Sequence, residues 1–148
     1  MRRLALCLFL LALAAAANCA ALQENLTVLK ERVEKASPEE RARLCIEIAQ
    51  QQLRNADKLY NEGHIEEARA AVGDIVTYSE KARDATIQSR KRMKNVEIDA
   101  RKMSERLRDI KRNLAFEDQA PVDQAIRRLE DIRTALLNEM FSTKKEKK

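Results

Sequence analysis

A heptad pattern of apolar and small residues runs through residues 64–115 and constrains the fold more than any other feature of the chain. This range contains one Gly and no Pro. Steps of three and four alternate along it, as in a helix that packs against other helices. An uninterrupted helix of this length would be on the order of 75 Å long, so shorter helices must fold back on it. The heptad seam, as we name this stripe, consists of Ile65, Ala68, Val72, Ile75, Ser79, Ala82, Thr86, Ser89, Met93, Val96, Ala100, Met103, Leu107, Ile110 and Leu114.

Composition supports an all-α protein. The 148 residues include only two Gly and two Pro, and 36% are charged. Such a composition favours helices in a single domain. We therefore predict an elongated antiparallel helical bundle or coiled coil with one long central helix. The alternative is a helix that breaks near Thr86 to Ser89 and closes a compact bundle.

Local signals place shorter helices on both sides of the long one. Ser37 followed by Pro-Glu-Glu is a strong helix start, and it predicts a helix over Pro38–Asn61. Gly63 then supplies the left-handed residue that ends a helix. Pro121 ends the long helix and begins a last one over Pro121–Phe141. Both short helices are expected to pack antiparallel to the long helix.

The turn around Gly63 resembles the hairpin turn of a tetratricopeptide repeat. Residues 59–68 read Leu-Tyr-Asn-Glu-Gly-His-Ile-Glu-Glu-Ala. The small, small and large positions of the family pattern hold Ala56, Ala68 and Val72. The resemblance covers about one repeat, Gln52–Ile75, and the closing Pro of the family is absent. Gln52 and Asn55 also stand where the family has large apolar residues. The resemblance therefore implies a helical hairpin, without the peptide-binding groove of stacked repeats.

The two ends of the chain differ from its helical middle. Residues 1–21 have the pattern of a secretory signal peptide, with two arginines, an apolar core over 4–17 and small residues after it. A periplasmic or secreted protein is expected on this basis. The helical domain is then expected to span 22–141. A Lys-rich tail over 142–148 is expected to be disordered.

Other interpretations of the N-terminal segment stay open. Cleavage after Ala17 and cleavage after Ala21 both fit, and we expect the second. A transmembrane anchor is disfavoured, because the apolar run is shorter than the ~20 residues that span a bilayer. Lipidation of Cys19 is also disfavoured, because Asn18 stands where a lipoprotein signal has a small residue. Otherwise the chain looks like an exported bacterial helical protein.

Charge is unevenly distributed along the chain. Residues 22–80 carry 8 Lys/Arg against 12 Asp/Glu, whereas residues 81–112 carry 12 against 5. Spacings of four and seven would place part of this basic segment on one helix side, away from the heptad seam. The predicted anionic-partner surface consists of Arg90, Lys94, Arg101 and Arg108. Its partner would be an anionic lipid, an acidic polymer or an acidic protein. The alternative is a solvated helix surface whose cations pair with neighbouring carboxylates.

Residues with catalytic or metal-binding chemistry are sparse. The single histidine, His64, is expected to be a turn or cap residue. No Cys/His cluster has metal-ligand spacing, and no Gly-rich phosphate loop occurs in the sequence. We therefore expect no enzyme, no cofactor and no metal. Cys45 lies among apolar helical positions, which predicts a small buried hydrophobe, with an intermolecular disulfide as the alternative.

These features predict a non-enzymatic exported helical protein, a scaffold or adaptor of the cell envelope. It would bind a protein partner, or a second copy of itself, through the part of the heptad seam that the short helices leave uncovered. One alternative is a periplasmic holdase-like chaperone. The other is binding to anionic envelope polymers or lipids through the basic helix. A nucleic-acid partner is not expected, because only 3% of the residues are aromatic.

Overall fold

The computed structural model describes residues 25–145, and helices account for nearly all of that range. The elements are α1 over residues 25–35, α2 over Pro38–Asn61, α3 over Ile65–Ser89, α4 over Met93–Arg112, a 3-10 turn over Phe116–Asp118 and α5 over Gln119–Lys145. No strand occurs within residues 25–145, which confirms the all-α class. The predicted signal peptide lies outside the described residues. None of the helices in residues 25–145 is long and apolar enough to cross a membrane.

Helix α2, the first helix of the α2–α3 hairpin, begins and ends as its sequence predicts. The Ser37 side chain accepts a hydrogen bond from the main-chain N–H of Glu40 at 3.5 Å. At the other end Gly63 has φ of 79°, and the N–H of His64 donates to the carbonyl of Leu59 at 2.9 Å. This left-handed cap satisfies carbonyls that the helix end leaves open. The helical hairpin is therefore confirmed, whereas its resemblance to a tetratricopeptide repeat stays a prediction.

The single long helix expected from the heptad seam is wrong, because a three-residue linker separates α3 from α4. Arg90 and Arg92 in this linker have φ of 56° and 63°, in the left-handed region. The Thr86 hydroxyl donates to the carbonyl of Lys91, and the Lys91 N–H donates to the Ser89 hydroxyl at 3.3 Å. Short polar side chains of this kind offer the backbone hydrogen bonds that compete with helix continuation. The alternative prediction, a break near Thr86 to Ser89, is confirmed, because α3 ends at Ser89.

The break folds α4 back, so that α2 to α5 form an up-down-up-down bundle. Helices α2 and α3 are antiparallel, as are α4 and α5, while α2 runs parallel to α4 and α3 runs parallel to α5. Ion pairs between the helices show these directions: Lys91–Glu39 and Arg106–Asp57 between α2 and α4, Arg69–Asp118 and Arg128–Glu80 around α3 and α5, and Arg133–Glu97 and Lys111–Asp123 between α4 and α5. Helix α1 packs beside α3, where Lys30 contacts Asp74 at 3.0 Å.

The heptad seam is buried inside this bundle. Ile75 and Leu107 have no exposed surface, and Met103 is 2% exposed. The other buried seam residues are Ala68, Val72, Ser79, Ala82, Thr86, Val96, Ala100 and Ile110. The expectation that the short helices leave part of the seam open to a partner is therefore wrong, because α4 and α5 cover what α2 does not.

Helix α5 is longer than its predicted range at both ends. It begins at Gln119 and continues to Lys145, four residues beyond Phe141. Residues 142–145 belong to this helix and residues 146–148 lie outside the described range, so the disordered tail stays a prediction. The Arg133–Glu97 ion pair fixes the register of α5 on α4. Because the two helices are antiparallel, Phe141 lies level with the linker that precedes α4.

Candidate anionic-partner surface

The structure separates the four predicted cations of the anionic-partner surface. Lys94 and Arg101 lie exposed on α4, and no described residue forms an ion pair with either. Arg108 donates to a carboxylate of α5, Glu130, at 2.9 Å. Arg90 precedes α4 in the left-handed linker, so it does not share the helix side of the other three. The prediction of one continuous basic stripe is therefore wrong, because it assumed an unbroken helix.

Arg108 belongs to a polar network that fastens α4 to α5. The Glu130 carboxylate accepts hydrogen bonds from the Ser104 hydroxyl at 2.7 Å and from Arg133 at 2.6 Å, besides the bond from Arg108. Arg133 also donates to Glu97 at 3.0 Å. Burial acts to raise the pKa of Glu130, but these hydrogen bonds outweigh it and hold the pKa below its usual value. The positive charge of Arg108 is thus engaged within the fold.

A basic cleft near the α4–α5 connection is neutralised in the same way. The cleft has a volume of about 400 Å³ and is lined by Arg108, Lys111, Arg112 and Gln119. Lys111 contacts Asp123 at 2.7 Å, and Arg112 pairs with Asp109. Each cation of the cleft thus has a carboxylate partner.

A short concavity lies between α3 and α5, and side chains of two ion pairs help to line it. It has a volume of about 370 Å³, and Val72, Gly73, Val76 and Ala125 are among its lining residues. Ion pairs from α3, Arg69 to Asp118 and Glu80 to Arg128, lie at its two ends. A long peptide would have to break one of these pairs to follow the concavity.

A run of exposed cations lies at and just after the α3–α4 linker. We name the surface formed by Arg90, Arg92 and Lys94 the basic end. All three side chains are exposed and none forms an ion pair with a described residue, although Arg92 interacts electrostatically with Asp99. Lys91, in the middle of the run, instead contacts Glu39 at 2.8 Å and ties the linker to α2. The basic end therefore projects three cations from a position that α2 holds in place.

Two arginines of the basic end, Arg90 and Arg92, have a left-handed backbone conformation that is unusual for arginine. A left-handed conformation costs a residue with a side chain roughly 1–2 kcal/mol, and Gly or Asn commonly fills such positions. Here two arginines occupy them. Residues held in such conformations occur preferentially at functional sites. The strain singles out Arg90 and Arg92 from the many other exposed cations of the chain.

Replacing Arg90 by Gly should stabilise the protein while it weakens anion binding. Relief of left-handed strain, less the entropy cost of Gly, should raise the free energy of unfolding by about 0.5–1 kcal/mol in urea titrations. Arg101→Gly is the matched control, and it should lower that free energy by about 1 kcal/mol because Arg101 lies within a helix. A loss of stability in Arg90→Gly as well would contradict the strain assignment.

The chemically reactive side chains of the described residues lie apart from one another. Cys45 has no exposed surface, and burial raises the pKa of its thiol to about 11. It occupies the core as predicted. His64 lies exposed at the start of α3, 3.9 Å from Glu67. Within residues 25–145, no group of three His, Cys, Asp or Glu side chains is placed to hold a metal ion.

Sequence reasoning missed two residues near the basic end. Arg92 was not singled out because it does not follow the four- and seven-residue spacing of the predicted stripe. The sequence pattern predicts only that Phe141 is the last residue of the final helix, whereas its side chain is 65% exposed. Only the position of the break, and the register of α5 on α4, bring these residues to the same end of the bundle.

Comparison with known proteins adds no relative to this picture. No protein-family model, no curated protein and no solved structure matches the chain.

Proposed function

We propose that this protein is a non-enzymatic, exported adaptor of the cell envelope that docks on an anionic partner through its basic end. The observation that carries the proposal is the exposure of Arg90, Arg92 and Lys94 within five residues of the chain, none of them in an ion pair with a described residue. Unpaired cations at one end of a molecule attract anions at long range and orient the approach. Export is proposed from the signal-peptide pattern of residues 1–21.

The geometry of the linker supports a docking role. The Lys91 side chain contacts Glu39 at 2.8 Å, and the Thr86 hydroxyl donates a hydrogen bond to the main-chain carbonyl of Lys91. The neighbouring arginines are therefore presented from a backbone that is already ordered. A partner that binds them does not have to order this backbone at its own entropic cost.

The chaperone alternative lacks a comparable observation. A holdase requires accessible apolar surface for unfolded clients, and the heptad seam that would have supplied it is buried. We therefore favour docking on an anionic partner.

A soluble polyanion tests the proposal. The full chain is titrated with fluorescent heparin at low ionic strength, and binding is followed by anisotropy. The variant carrying Arg90→Gln, Arg92→Gln and Lys94→Gln is expected to bind roughly a hundredfold more weakly, since each cation beside an anionic surface contributes on the order of 1 kcal/mol. Wild-type binding should also weaken with added salt.

The matched control removes the same charge elsewhere. Arg54, Arg101 and Arg127 are exposed on three different helices, and no described residue forms an ion pair with them. Replacing these three by Gln should leave heparin binding within about threefold of wild type, because the positions are scattered. Equal losses in the two triple variants, or no binding by wild type at low salt, would contradict the proposal.

A further inference from the structure

We infer that the anionic partner of the basic end is a phospholipid bilayer, and that Phe141 enters the bilayer beside the bound headgroups. This inference rests on the proposed function and names the class of its partner. Phe141 is 65% exposed, although a phenylalanine side chain is normally buried. It belongs to the part of α5 that lies level with the linker, so the aromatic ring and the cations of the basic end occupy one end of the bundle.

The register of α5 on α4 places Phe141 at this end. Glu97, one turn into α4, contacts Arg133, and Ser104 contacts Glu130. Two helical turns beyond the contact of Arg133 with Glu97, α5 reaches Met140 and Phe141, and two turns before Glu97 lies the linker that precedes α4. The last turns of α5 therefore continue beyond the start of α4, where the Phe141 ring remains open to solvent.

The chain sequence adds further positive charge next to Phe141. Four of the five residues at positions 144–148 are lysines, and the fifth is Glu146. Helix α5 continues to Lys145, which is four residues after Phe141. An exposed ring is thus followed in sequence by lysines and lies at the same end of the bundle as Arg90, Arg92 and Lys94.

Cations next to an exposed aromatic ring match a bilayer better than a soluble polyanion. Cations pair with anionic headgroups, and an aromatic ring lies favourably at the boundary between headgroups and acyl chains. A soluble polyanion offers no apolar layer for the ring. Each Lys or Arg beside an anionic membrane strengthens binding roughly fivefold, and burial of one Phe ring adds roughly tenfold. Together these contributions give reversible peripheral attachment.

The chain contains no tryptophan, so a single Trp reports on one position. Full-chain Phe141→Trp is mixed with vesicles of phosphatidylglycerol and phosphatidylcholine in equal parts. Its emission should shift to the blue, and lipids brominated on the acyl chain should quench it. Phe116→Trp is the matched control, because Phe116 is 88% exposed in the α4–α5 connection at the opposite end of the bundle. Its emission should change little.

Vesicle binding separates this inference from the proposed function. Phe141→Ser should bind the same vesicles roughly tenfold more weakly than wild type, with unchanged heparin binding. Phe116→Ser should bind both as wild type does. If Phe141→Ser keeps full vesicle binding and Phe141→Trp emission does not shift, the inference fails while the proposed function stands. Wild-type binding to heparin but not to vesicles overturns the inference, as does equal binding to vesicles of phosphatidylcholine alone. If the wild type binds neither heparin nor vesicles, both the inference and the proposed function are overturned.

Discussion

Replacing Leu107 by Ala is expected to lower the free energy of unfolding by about 3 kcal/mol. Leu107 belongs to the heptad seam on α4 and has no exposed surface. Truncation removes apolar contacts and leaves a cavity that the neighbouring helices fill only in part. The effect is large because the fold-back of α4 buries this side chain in the same core as α3 and α5. Urea unfolding followed by circular dichroism measures it.

A control on the same helix isolates the contribution of burial. Arg101 is exposed on α4, and Arg101→Ala should change the free energy of unfolding by no more than about 0.5 kcal/mol. A loss below about 1 kcal/mol in Leu107→Ala would mean that this part of the heptad seam is open to solvent. The seam would then be available to a partner, as the unbroken-helix interpretation requires.

Local sequence signals predict much of this fold. Ser37 predicts the start of α2, and Gly63 predicts its end, because a cap and a left-handed stop depend on residues within one helical turn. The seam positions Val96, Met103 and Ile110 all prove to be buried. Periodicity identifies such positions well, because a buried stripe imposes its spacing on any helix.

The break between α3 and α4 could not be predicted from propensity. Arg and Lys are good helix formers, so Arg90-Lys91-Arg92 favours continuation. The signal lies instead in Thr86 and Ser89, whose hydroxyls bond to the backbone of the linker and its approach. Whether such residues end a helix depends on the tertiary contacts that the fold-back gains, and these are not local.

Only part of the candidate site can be predicted from the sequence, because its geometry also depends on contacts between helices. The segment rich in Lys and Arg was recognised from its charge, and Arg90 and Lys94 belong to the basic end. Their grouping with Arg101 and Arg108 relied on an unbroken helix. The engagement of Arg108 by Glu130 is a contact between helices, 22 residues apart in sequence, that spacing on one helix does not reveal.

The fold-back at the basic end underlies both the buried seam and the proposed binding surface, and a distance across it tests this directly. Glu67 near the start of α3 and Asn113 just after α4 are both exposed, and they lie 46 residues apart. Arg69 contacts Asp118, and Lys111 contacts Asp123 at 2.7 Å, so both positions lie near the first turns of α5. Spin labels at Glu67→Cys and Asn113→Cys should therefore report a short distance.

The measurement is double electron–electron resonance on the full chain, with Cys7 and Cys19 replaced by Ser and Cys45 by Ala so that only the labels react. Neighbouring helix axes in a bundle are 8–10 Å apart, and with the label arms we expect a distance of about 20–30 Å. A continuous helix would hold the two labels about 70 Å apart at ~1.5 Å per residue. A distribution centred near the shorter distance supports the fold-back and the basic end, and one centred near the longer distance contradicts both.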